Sequence, residues 1–112
     1  EVGKLMTSEL LGLGLIDTAD VQNEDPNWPA YKKYFMHGTS HHMGLDTHDY
    51  GLLWEPMKTN MVFTVEPGIY IPEEGFGIRL EDDVVIQEKG TPLNLMKHIP
   101  IAIEEIEAIM NS

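Results

Sequence analysis

Apolar residues fall at Val2, Leu5, Met6 and Leu10, spacings close to the helical period, and Gly12 and Gly14 follow them. The pattern predicts a helix over residues 1–11 that ends at the glycines. Residues 17–29, "DTADVQNEDPNWP", mix turn formers with two prolines and read as a connecting loop, and "AYKKYF" reads as a short helix after it. The period then changes. "MVFTVEPGIYI", residues 61–71, is β-branched and aromatic, with "EPG" as a bend between two strand pieces. "GIRLEDDVVIQE", residues 77–88, reads as a third strand, with Ile78, Leu80, Val84 and Ile86 alternating and a bulge expected near the acidic triplet. "KGTP" turns the chain toward a short strand, "LNLM". The last stretch, "PIAIEEIEAIM", predicts a helix with Pro100 near its first position and Ile103, Ile106 and Met110 on one face. Without repeat or linker, the pattern predicts an α+β fold and one domain spanning residues 1–112.

Length and charge narrow this further. A chain of 112 residues suits one core, burying roughly 65% of the surface its unfolded form exposes. No apolar run reaches the ~18 residues a membrane span needs, and no basic leader precedes an apolar stretch, so the expected location is cytoplasmic. A net charge of -12 repels phosphate backbones and anionic lipid, so neither nucleic acid nor membrane is expected as a partner. With no cysteine, any metal must be held by His, Asp or Glu, which favours a hard or borderline divalent ion.

The chemistry concentrates in "HGTSHHMGLDTHD", residues 37–49, which holds His37, His41, His42 and His48. Groups that titrate near neutrality and bind divalent ions are poor packing material, because each buried nitrogen needs a partner. Glu66 and Glu81 lie in otherwise strand-like runs. Either could sit on a solvated sheet face; with His41 they amount to a hard-cation site short of oxygen ligands. Gly38, Gly44 and Gly68 would let backbone approach a ligand closely. Generic spacings such as HExxH, GxSxG, the P-loop and the EF-hand are absent from the sequence.

"FMHGTSHHMGLDTHDYG", "TVEPGIYI" and "GIRLEDDVVI", in that order, resemble the second half of the catalytic domain of Xaa-Pro aminopeptidases, the proline-specific metallopeptidases with the pita-bread fold. The resemblance runs over nearly the whole chain. It implies the C-terminal half of that fold, a curved antiparallel sheet with flanking helices. It also implies hydrolysis of the bond between an N-terminal residue and a penultimate proline, by two divalent ions, usually manganese, with zinc or cobalt as alternatives. His41, Glu66 and Glu81 would be metal ligands, Glu81 bridging both ions. His37 would bind substrate and stabilise the tetrahedral oxygen, and His48 would recognise proline and shuttle protons. Glu66 would share in proton transfer. Arg79, the sole arginine, would order the carboxylates bidentately, as lysine cannot. Tyr70 would lie near the substrate. His42 and His98 are left as structural or exposed.

The family's two aspartate ligands lie upstream of the stretch that matches, and Asp46, Asp49, Asp82 and Asp83 are poor substitutes. The reading is therefore of a fragment that binds metal weakly or not at all and is inactive alone. Its uncovered apolar surface and strand edges predict self-association, and the parent enzyme is expected to be a homo-oligomer. Three alternatives remain: a prolidase acting on Xaa-Pro dipeptides, a pita-bread binding module without catalysis, and a mononuclear iron site of two histidines and a carboxylate.

Overall fold

The computed structural model describes residues 1–52 and 54–112. In chain order the elements are α1 (Val2–Gly12), α2 (Thr18–Gln22), a 3-10 turn (Ala30–Lys33), β1 (Val62–Val65) and β2 (Gly68–Ile71). A second 3-10 turn (Pro72–Glu74), β3 (Phe76–Arg79), β4 (Asp82–Val85), β5 (Leu93–Asn94) and α3 (Ile103–Met110) follow. This is an α+β chain with antiparallel strands. Its contacts gather into two compact units: residues 1–39 with 67–79, and residues 40–66 with 80–112.

In the first unit α1 ends as its glycines predict. Gly14 takes φ +71°, the Leu15 N–H donates to Leu10 O at 3.0 Å and the Gly14 N–H to Leu11 O at 3.1 Å. That is a Schellman ending, which only a residue tolerant of left-handed backbone supplies cheaply. Leu10 is wholly buried with Ile16 and Tyr34, and Ile69 and Ile71 from β2 pack on them. The stretch expected to be a plain loop contains α2. Asp17 accepts from the Asp20 N–H while the Asp20 carboxylate accepts from the Asp17 N–H, a reciprocal cap that turns apparent turn formers into a helix start. The predicted "AYKKYF" helix is confined to the 3-10 turn at Ala30–Lys33. Lys33 lies over the Tyr34 ring at 4.8 Å and pairs with Glu73 at 3.0 Å, and both neighbours raise its pKa.

The second unit is built on the sheet order β1-β4-β5. Among the described residues, Phe63 and Thr64 are its buried ones. The helix expected from Pro100 begins later, at Ile103 after Ala102, and Ile103, Ile106 and Met110 are all exposed.

The strand expected over residues 77–88 is in fact two strands in two sheets. β1 pairs with β4 up to Val65 against Asp82, and β2 pairs with β3 from Gly68 against Arg79. Two residues intervene on each side, so no bulge is needed. Pro67, which has no N–H to donate, lies between β1 and β2.

Candidate active site

Residues 41–43 run beside β1 as an irregular edge. Thr64 N–H donates to His41 O at 3.0 Å, and Met43 N–H donates to Val62 O at 3.1 Å. The Thr64 hydroxyl, on a residue only 1% exposed, accepts from the His41 N–H at 3.0 Å and donates to Glu66 Oε1 at 3.1 Å. One buried oxygen thus ties the backbone of His41 to the carboxylate of Glu66. The His41 ring follows suit. Its Nδ1 lies 2.9 Å from His42 O, and because a carbonyl can only accept, Nδ1 carries the proton. That leaves Nε2 facing Glu66 Oε1 at 3.1 Å.

Within the same unit, the loop after His41 folds back so that the His48 ring lies 4.4 Å from the His41 ring, centroid to centroid. His48 itself is exposed. His42 does something else: its ring packs tilted against Phe63 with centroids 4.3 Å apart, and a Cβ on Gly51 would collide with it. His98 is exposed on the segment after β5.

The register of β1 and β4 ends at Val65 against Asp82, and Glu66 and Glu81 are the next residues on either side. Residues directly opposite in an antiparallel pair share a face, and so do residues two apart. Thr64 and Asp83, cross-strand partners, therefore share a face of the ladder. Glu81 is exposed. Asp83 Oδ1 is buried and, among the described residues, has no hydrogen-bond partner. An unsatisfied acceptor in that setting costs on the order of 1–3 kcal/mol.

In the other unit His37 uses the device seen at His41. Its Nδ1 donates to the carbonyl of the next residue, Gly38, at 2.6 Å, and Nε2 lies 2.9 Å from the Tyr70 hydroxyl. The Tyr70 ring needs open space to reach it. A Cβ on Gly77, its cross-strand partner, or on Gly68 would press on that ring. Gly68, expected to serve a tight turn near a ligand, instead lies within β2 and is kept small for the phenol. Arg79 ends β3 opposite Gly68 and is exposed.

The donor chemistry fits a divalent ion. The facing atoms are an imidazole nitrogen with its tautomer fixed by a carbonyl and a carboxylate oxygen held by a hydroxyl, the outer support metal ligands usually receive. At 3.1 Å apart, Nε2 and Oε1 could be bridged by one cation or share one proton. Among the described residues no group of three or more His, Asp or Glu is gathered tightly enough to hold an ion unaided. One position that the sequence did not single out as functional, Thr64, ties His41 to Glu66. The signal for Thr64 was present: a lone hydroxyl in "VFTV", two residues before Glu66 and hence on its face.

Residues 4–88 match the metallopeptidase family M24. The chain is 42% identical to the Xaa-Pro aminopeptidase of Escherichia coli, over 98% of its own length and 27% of that protein. Among solved structures it superimposes on a putative aminopeptidase P from Bacillus anthracis with a TM-score of 0.78 at 41% identity, covering 96% of this chain and 24% of that one. It also matches aminopeptidase PepP of Pseudomonas aeruginosa, with a TM-score of 0.76 at 35% identity, covering 94% and 26% respectively. The chain thus spans about a quarter of the length of these relatives, and over that span it shares their pita-bread architecture. With the family matched over residues 4–88 and its members' sequence and fold shared over nearly the whole chain, the chain belongs to the M24 metallopeptidase family.

Proposed function

We propose that the full-length protein carrying this chain is a metal-dependent aminopeptidase that releases an N-terminal residue preceding proline. The observation that carries this reading is the His41 Nε2 to Glu66 Oε1 approach at 3.1 Å, with the far side of the imidazole anchored on His42 O. Similarity to Xaa-Pro aminopeptidases over almost the entire chain supports the substrate class. In this proposal residues 1–112 are part of one catalytic domain, and His41, Glu66 and Glu81 are ligands of a dinuclear centre, with manganese as the native ion. Divalent ions held there would acidify water and polarise the scissile carbonyl.

The chain's own groups do the rest. Thr64 keeps Glu66 Oε1 turned toward His41, so that the carboxylate can accept a proton from the attacking water without losing its orientation. His37, with Nδ1 committed to Gly38 O, exchanges protons only through Nε2, and the Tyr70 hydroxyl is its partner in the resting state. Protonated at Nε2, His37 would donate to the oxygen of the tetrahedral intermediate. His48, exposed beside His41, would meet the proline ring and carry protons to solvent, and Arg79 would order the carboxylates. A cytoplasmic setting is part of the proposal. Among the described residues no helix is long and apolar enough to cross a membrane. Self-association belongs to it too, supported by the exposed Ile103, Ile106 and Met110 of α3.

The test is turnover of an Xaa-Pro-Xaa tripeptide and an Xaa-Pro dipeptide by the full-length protein, before and after chelation and manganese restoration. Chelator-sensitive cleavage of the tripeptide at the Xaa-Pro bond is expected. Preference for the dipeptide would make it a prolidase, and metal-replete protein that cleaves neither would leave a binding module.

A further inference from the structure

We propose that Asp49 is the positioning residue that sets the His41–His48 pair, a role that rests on the metallopeptidase reading of those two imidazoles. Asp49 lies one residue after His48 and is half-buried. Its carboxylate works on the loop from within: Oδ2 accepts from the Leu45 N–H at 3.0 Å and Oδ1 from the Tyr50 N–H at 2.7 Å. Its own N–H donates to His42 O at 3.0 Å. That carbonyl is the one to which His41 Nδ1–H also donates, at 2.9 Å.

A single carbonyl oxygen therefore receives one hydrogen bond from the ligand imidazole and one from the residue that follows His48. The carboxylate fixes where that second donor stands. Charge-assisted bonds from a carboxylate to two backbone amides are stronger than the neutral bonds a loop usually makes. The space is reserved as well, since a Cβ on Gly44 would collide with Asp49 Oδ2. Gly44 thus serves the carboxylate rather than a bound ligand. The chain of contacts runs from Asp49 to His42 O to the His41 tautomer, and from Asp49 through the adjoining peptide to His48, whose ring is held 4.4 Å from that of His41.

The experiment uses the full-length protein with isotopically labelled histidine nitrogens, free of metal and substrate. In the parent protein His41 is expected to hold a proton at Nδ1 on the His42 carbonyl, with a close ring contact to His48. Asp49→Ala removes both side-chain bonds, and Gly44→Ala displaces the carboxylate without touching it chemically. Both variants should give mixed His41 tautomers and lose the His48 contact, and manganous ion affinity by titration should fall about 10- to 100-fold. Asp49→Asn keeps an acceptor for the Tyr50 N–H and should recover part of each signal. If the tautomer and the ring contact stay unchanged in both alanine variants, Asp49 is merely structural and the proposal fails. It fails equally if the tautomer changes while manganous ion affinity matches the parent's. Because the histidine signals are read without substrate, a parent protein that hydrolyses no peptide would defeat the functional reading and leave this measurement standing.

Discussion

His37 and His41 are four residues apart and built alike, yet they face different chemistry. Each donates Nδ1–H to the carbonyl of the next residue and so presents only Nε2. Opposite His41 stands a carboxylate oxygen at 3.1 Å; opposite His37 stands a phenol at 2.9 Å. A carboxylate and an imidazole nitrogen are both electron-pair donors, and their approach is relieved by a shared proton or a shared cation. A phenol and an imidazole already make a complete neutral hydrogen bond. The difference teaches that histidine roles in this segment are set by the group facing Nε2, which comes from distant strands, and not by the loop motif itself.

The comparison can be broken most decisively at His41. In the full-length protein, His41→Ala should abolish turnover and lower bound manganese, as measured by peptide cleavage and elemental analysis. Retention of both would mean that the carboxylate-facing imidazole is not a ligand. Thr64→Val comes next. It keeps the shape while deleting the hydroxyl that orients Glu66, so metal affinity should fall about 10- to 100-fold, with Thr64→Ser close to the parent. Equal affinities for Val and Ser would show that the hydroxyl is idle.

Tyr70→Phe tests the other imidazole. It should leave metal content unchanged and lower kcat by at most about 100-fold, the low end of what a positioned proton-transfer group supplies. A drop in metal content instead would erase the distinction between the two histidines. The smallest effects belong outside both sites. His98→Ala should alter neither turnover nor metal. Glu73 has its pKa lowered by its own backbone N–H and by Lys33, so what it adds to stability is present above the ordinary carboxylate range and fades as pH falls through that range. The pair is solvent-exposed and screened, and Glu73→Gln should leave the thermal midpoint unchanged at neutral pH.

Local signals carried α1 well, because both its apolar spacing and its terminating Gly14 are encoded within the segment. The Asp17 and Asp20 box was equally local but disguised, since the residues that cap a helix are those that form turns. The division of residues 77–88 into β3 and β4 was not legible there. The two halves differ in their pairing partners, β2 for one and β1 for the other, and no reading of "GIRLEDDVVIQE" alone contains that. Among the site residues, the approach of His41 to Glu66 depends on Thr64, whose β-branched side chain reads first as strand propensity. Asp49 was weighed only as a ligand. Its carboxylate bonds backbone amides in its own loop, a role that residue type alone does not announce.

The missing side chains at Gly68 and Gly77 constrain evolution as firmly as the phenol they accommodate. A methyl group at 77 would evict Tyr70 from its station, and His37 would lose its resting partner without any change in the histidine loop. Positions 70 and 77 thus form one unit of inheritance: a bulkier residue at 77 should be found only with a smaller one at 70, and a library that randomises both should recover them as a correlated pair.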